Sequence, residues 1–399
     1  MKRRNFLETT SGIMMLPIMS TSVSSDIKEL PNGVIYSGSQ DEMVKALDAE
    51  TGEVIWEFDG HSDDVWSVPS SPDGDIVYSG SSDETVKALD AETGEEIWES
   101  TVHSDRVYSV AVSPDGEIVY SGSSDETVKA LDAETGEEIW ESTAHSSTVR
   151  SVSPSPDGEI VYSSSLDDTV KALDSETGEE IWESAAHSGI VWAVASSPDG
   201  EFVYSGSQDD TLKSLDAQTG EEIWESTAHS NQVRSIAPSP DGDTVFSSSG
   251  GVFDGDEVKA LDAETGEEIW EFDGHSDRVY SVAVSPDGEI VYSGSWDDTL
   301  KALDAKTGEE IWESTAHTSW VRSVAVSPDG DTIYSGSNDD IVRALDAETG
   351  EVIWESTTHS LTVFSVATSP IPPSTEIMYN EETLKTNKLE GTDNGTITL

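Results

Sequence analysis

His103-Ser-Asp-Arg-Val-Tyr-Ser-Val-Ala-Val-Ser-Pro-Asp-Gly-Glu-Ile-Val-Tyr-Ser-Gly-Ser-Ser-Asp125, continued by Glu126-Thr-Val-Lys-Ala-Leu-Asp-Ala-Glu-Thr-Gly-Glu-Glu-Ile-Trp140, is copied along nearly the whole chain. The histidines mark the copies: His61, His103, His145, His187, His229, His275, His317 and His359. Successive gaps are 42 residues, except the 46 between His229 and His275. A period of about forty residues means a solenoid, an array or a closed ring of like units, and it overrides the two or three domains that length alone would suggest.

Within the quoted unit the apolar runs are short, rich in Val, Ile, Tyr and Trp, and separated by turn residues. Val107 to Ser113 predicts strand a, followed by a Pro114-Asp115-Gly116 turn in which glycine supplies a positive φ. Ile118 to Ser123 predicts strand b and Thr127 to Asp132 strand c. The Ala133-Glu134-Thr135-Gly136 hairpin then leads to strand d, Glu138 to Ser142. Four short antiparallel strands without helical periodicity make the blade of a β-propeller. Before His61 stands a b–c–d set without strand a, Val34 to Trp56; after His359 stands a strand a, Val363 to Thr368, with poor b–c–d matches. The expected fold is therefore all-β, an eight-bladed propeller of four-stranded antiparallel blades. The C-terminal strand a should complete the N-terminal blade and hide the open edges. Four extra residues around Gly250-Gly251-Val252-Phe253-Asp254-Gly255 lengthen one b–c loop. The propeller is expected over 33–369 and a degenerate repeat or tail over 370–399, with a ninth partial blade as the alternative.

Of 399 residues, 81 are acidic and 20 basic, a net charge of −61. Such a surface fits a protein kept hydrated in concentrated salt, where repulsion is screened within a few ångströms; a calcium-loaded or merely acidic protein is the alternative. Nucleic acid is an unpromising partner, because phosphate binding needs a basic stripe. The chain has no cysteine, so disulfides, thiolate metal sites and a cysteine nucleophile are excluded. Lys2-Arg3-Arg4-Asn5-Phe6-Leu7, followed by the short apolar run Gly12 to Met19, resembles a twin-arginine export signal over 1–25, with cleavage expected between Ser20 and Ser25. That run is too short to span a bilayer. Location outside the cell or at its surface is expected.

Two family resemblances overlap between Val34 and about Thr368. The histidine, the Ser-Pro-Asp-Gly turn and the Ser-Gly-Ser-x-Asp-x-Thr-Val run resemble the WD-repeat family. The resemblance implies a structural hydrogen-bond network pairing His61 with Asp83, His103 with Asp125, His145 with Asp167, His187 with Asp209, His275 with Asp297, His317 with Asp339 and, across the closure, His359 with Asp41. In the sixth copy Asp254 and Asp256 compete for His229. Where that family has Trp-Asp in strand c, this chain has Leu47-Asp48, Leu89-Asp90 and Leu131-Asp132. The second half of each unit, such as Ala88-Leu-Asp-Ala-Glu-Thr-Gly-Glu-Glu-Ile-Trp98, resembles the repeat of pyrroloquinoline-quinone (PQQ) type propellers. It implies that Trp56, Trp98, Trp140, Trp182, Trp224, Trp270, Trp312 and Trp354 dock each blade onto its neighbour.

The repeated histidines invite a metal or catalytic reading, but one per blade places them in a ring rather than around one ion. The acidic pairs Asp83-Glu84 and Glu95-Glu96 read as a solvated rim. A quinone dehydrogenase needs asymmetric insertions that build a pocket, whereas these blades are near-uniform. No enzyme activity, cofactor or metal is therefore expected. Variation among the copies concentrates at three positions. At the second residue of strand a stand Trp66, Tyr108, Arg150, Trp192, Arg234, Tyr280, Arg322 and Phe364. Two residues earlier are Arg106, Ile190, Arg278 and Trp320, and just before the b–c loop aspartate are Leu166, Gln208, Trp296 and Asn338. By the WD-repeat resemblance these lie together on the top face around the channel mouth. Drift would also scatter changes over the exposed hairpins, which stay nearly constant, and Trp, Tyr and Arg dominate binding hot spots. The expected function is non-enzymatic binding of a protein or peptide, such as an acidic surface protein or glycan, by a monomer. The alternatives are a PQQ-type or other small-molecule enzyme and a purely structural surface protein.

Overall fold

A computed structural model describes residues 33–251 and 256–370. The expected leader, and the tail from 371 onward, lie outside the described residues. Thirty-two strands form eight four-stranded antiparallel sheets, each in the order a-b-c-d, arranged as one ring. In blade 3 the strands are Val107–Val112, Ile118–Ser123, Val128–Asp132 and Glu138–Ser142, within a residue of expectation. Blade 1 consists of Val34–Ser39, Val44–Asp48 and Val54–Phe58, completed by the last strand, Val363–Thr368. Blades 2 to 8 begin with strand a at Val65, Val107, Val149, Val191, Val233, Val279 and Val321.

Burial follows position in the blade. Strand b is buried nearly end to end, while strand d exposes its glutamates and isoleucine and buries its tryptophan. The apolar core lies between blades: Tyr78, Val86 and Trp98 of blade 2 pack with Val107, Val110 and Leu131 of blade 3. The seam between blades 8 and 1 is built alike, with Tyr334, Val342 and Trp354 against Ile35 and Leu47. Strand b comes close to the next blade at Gly80, where a Cβ would lie 2.6 Å from Val110 Cγ2, although Ser164 and Ser248 stand at the equivalent place in blades 4 and 6. Blade 2 has the shortest strand a, Val65–Ser67, because Pro69 has no N–H to give the ladder.

The ring closes without a covalent link. Ile35 pairs with Thr368 and Gly38 with Ser365, and the Val34 amide donates to Ser369 Oγ at 3.0 Å across 335 residues of chain. Strand a is innermost, and its serines tie neighbours together: the Val110 amide donates to Ser67 Oγ at 3.2 Å, and Val324 to Ser281 Oγ at 3.2 Å. The histidines and b–c loops share one end of the ring, the top. The Ser-Pro-Asp-Gly and Glu-Thr-Gly turns share the bottom. There Gly33 O accepts from the Ala49 amide, and Pro370 lies beside Gly74.

Candidate functional site

Three sets of side chains repeat around the ring, and the first is a girdle of tryptophans. Trp98 Nε1–H donates to Ala133 O of the next blade at 3.0 Å, and Trp354 spans the seam to Ala49 O at 2.9 Å. Each indole lies where a Cβ on the next c–d hairpin glycine would sit: that atom on Gly94 (φ 71°) would be 2.6 Å from Trp56 Cδ2. Trp56, Trp140, Trp182, Trp224, Trp270 and Trp312 make the same interblade hydrogen bond.

The second set holds the d–a and b–c loops together. His61 Nδ1 is 2.9 Å from Asp83 Oδ2 and Nε2 is 2.7 Å from Ser79 Oγ. An Nδ1–H given to the carboxylate leaves Nε2 to accept the serine O–H. His103–Asp125 and, across the seam, His359–Asp41 repeat the geometry at 2.8 and 3.0 Å. Thr85 Oγ1–H also donates to Asp83 at 2.6 Å, a member that the sequence reading missed although Thr recurs two residues after the aspartate. Burial works to raise the Asp83 carboxyl. The hydrogen bonds from His61, Thr85 and the Ser62 amide outweigh it and hold Asp83 below the carboxylate range. The same contest leaves Asp41 lowered to about 2.

The sixth copy corrects the expectation of an aspartate partner for His229. Glu257 takes the role, 3.2 Å from His229 Nδ1, with its other oxygen on Ser230. Glu257 stands at the threonine's place, since Ser249 N–H donates to its carbonyl as Ser81 does to that of Thr85, and its longer side chain reaches back to the ring. Asp256 instead accepts from the Gly251 amide, and Asp254 lies outside the described residues.

The third set is a buried cation in each strand c. Lys87, 3% exposed, lies 3.2 Å from both Glu96 and Glu99 of strand d, and Arg343 lies 2.8 Å from Glu355. Lys45, Lys129, Lys171, Lys213, Lys259 and Lys301 are paired in the same way. Of the "rim" pairs, Glu95-Glu96 places Glu96 on the buried Lys87 while staying exposed, and Asp83-Glu84 places Asp83 on His61.

At the top of the channel the non-repeating residues meet. Trp66 stacks on Phe364 with centroids 4.2 Å apart and meets Tyr108 edge-on at 5.4 Å. The Arg150 guanidinium lies 4.2 Å from the Tyr108 centroid and 5.5 Å from that of Trp192, on which Arg234 also lies at 4.2 Å. Across the mouth Trp296 stacks on Trp320 at 3.9 Å, with Tyr280 at 5.8 Å from Trp296. Arg322 sits 5.1 to 5.3 Å from these three rings, and Arg278 lies 4.4 Å from Trp296. The backbone sets the groups side by side: Trp296 N–H donates to Arg278 O and Asn338 N–H to Trp320 O, each at 2.8 Å. Arg322 Nε–H donates to Asn338 Oδ1 at 2.6 Å, and Trp66 Nε1–H to Ser82 Oγ at 2.7 Å. Leu166 and Ile190 are half-buried beside this cluster, whereas Gln208 and Arg106 are exposed at its edge. Four buried donors, Arg150 Nε, Trp192 Nε1, Arg234 Nε and Trp296 Nε1, have no acceptor. Burial lowers the pKa of Arg234 and Arg322, and Arg278 and Arg150 lower Arg234 further.

Among the described residues no three metal-ligating side chains gather, and no helix is long and apolar enough to cross a membrane. A cavity of about 350 Å³ lies away from the mouth, at the bottom of the seam between blades 8 and 1, against Ser327, Asp329 and Ile353.

The PQQ-like repeat family described as "Outer membrane protein assembly factor BamB" matches residues 40–166, 166–278 and 254–393. Among solved structures, the computationally designed Ika8 protein is 30% identical with a TM-score of 0.70, over 78% of this chain and 93% of that one. No curated protein matches.

Proposed function

This chain belongs to the PQQ-like propeller family described as outer membrane protein assembly factor BamB, and from that premise we propose that it is a non-enzymatic exported propeller that binds a protein or peptide through its top face. One observation carries the reading: the positions that differ between blades form a stacked arginine–aromatic cluster at the channel mouth, while the repeated positions serve the frame. Buried aromatic and arginine side chains are the groups from which binding hot spots are made. The family description names a factor that acts on other proteins, which supports a protein as the partner and a place outside the cytoplasm. The twin-arginine leader, the WD-type histidine signature, a salt-rich habitat and a monomeric state belong to the same proposal. Both ends of the described chain lie at the bottom, the face opposite the mouth.

The test is affinity capture from a salt-matched surface extract, comparing the mature protein with a folded variant in which Trp66, Trp192, Trp296 and Trp320 are alanine. A partner held by the parent and lost by the variant is expected. Identical capture by both would make the varied mouth drift and leave a structural role.

A further inference from the structure

We propose that the mouth takes carboxylate groups from an acidic peptide segment of the partner, bound between Arg150, Arg234 and Arg322 over the aromatic rings. The inference rests on the top-face reading and specifies its chemistry. Strand c sets the internal standard: all eight of its buried cations face a carboxylate of this chain, from Lys45 with Glu57 to Arg343 with Glu355. The mouth departs from it. Arg150, Arg234 and Arg322 face rings and amide oxygens, and among the described residues none of them forms an ion pair. Carboxylates are not scarce, with 81 acidic residues in the chain.

A desolvated charge without a counter-charge is costly, and contact with an aromatic face offsets only part of that cost. The planar edge of a guanidinium is what matches a carboxylate bidentately. The buried Nε atoms of Arg150 and Arg234 have no acceptor within the chain, and neither do the buried indole N–H groups of Trp192 and Trp296. The mouth is thus a set of donors with its acceptors missing, and carboxylate is the anion that a polypeptide partner brings. Because the guanidinium groups are partly buried, their pairing is screened less by salt than that of surface charges.

The probe is a fluorescein-labelled octaglutamate peptide, followed by anisotropy and by the intrinsic tryptophan fluorescence of the full chain. Saturable binding of octaglutamate and none of octaglutamine is expected. Arg150→Gln, Arg234→Gln and Arg322→Gln should each weaken it about tenfold or more, while Lys306→Gln, exposed on a bottom hairpin, leaves it unchanged. If an arginine variant does not fold, the tryptophan signal of the parent with the two peptides still decides. Equal binding of octaglutamine, undiminished binding by folded arginine variants, or displacement of the peptide by inorganic phosphate but not by glutarate would overturn the inference. Loss of a captured partner in the tryptophan variant, with no octaglutamate binding by the parent, leaves the top-face reading standing and removes only the carboxylate.

Discussion

The tryptophan girdle and the channel mouth place the same residue type in opposite circumstances. In the girdle all eight indoles donate to a backbone oxygen of the next blade, and the eight sites are the same site repeated. At the mouth Trp192 and Trp296 bury an indole N–H with no acceptor; the other blades hold Trp, Tyr, Phe or Arg at the place of Trp192, and Gln, Ser, Leu or Asn appear at the place of Trp296. A buried donor left unpaired costs about 1–3 kcal/mol. The girdle indoles are all paired within the ring, whereas two indoles of the mouth are not. Repetition marks the parts that hold the ring, and variation between blades marks the mouth.

The severest way to break the comparison is to remove the strand on which the frame depends. A chain ending at Thr362 should lose cooperative thermal unfolding, while one ending at Pro370 keeps it; similar melts for both would mean that closure does not need the last strand. Acid should act next, on the histidine-linked carboxylates. Asp41 is lowered to about 2, and Asp83, Asp125, Asp167, Asp209, Asp297 and Asp339 are lowered as well. Between about pH 4, where unfolded aspartates titrate, and pH 2 the unfolded chain binds more protons than the folded one, so stability falls as pH drops. Denaturant midpoints measured across that window at constant salt should decline; a flat profile would detach the carboxylates from the frame. Smaller again is Trp98→Ala, at about 3–5 kcal/mol from the lost packing. Trp66→Ala should cost only about 0.5–1.5 kcal/mol, the worth of an aromatic pair. Equal losses of melting temperature for these two would erase the distinction between girdle and mouth.

The blade was legible because its strands are short and apolar and their turns carry Pro-Asp-Gly and Thr-Gly, so local chemistry dictates strand ends. Closure was legible from the unpaired sets at the two chain ends. The sixth blade was not: an insertion shifts numbering, and only the fold shows that Glu257 stands at the place of Thr85. Thr85 and Lys87 escaped for another reason. A constant polar residue in a strand reads as solvent-facing until neighbouring strands bury it, and Lys87 is neutralised by glutamates that themselves look like surface charge. The three varied positions stood out, but not the stacking among them. Many of those contacts, such as Trp66 with Phe364 and Trp296 with Trp320, join residues of different blades, and no single repeat contains them.

The noncovalent seam also imposes a schedule on biosynthesis. The amide of Val34 finds its partner, Ser369, 335 residues later. At ribosomal rates of about 5–20 residues per second, the first blade waits roughly 17–67 s for its fourth strand. Throughout that interval the nascent chain carries the bare edge of Val34–Ser39, and any other copy's Val363–Thr368 segment fits it as well as its own. Crowded polysomes therefore favour exchange of last strands between chains, and fast, dilute synthesis favours closure by the chain's own last strand.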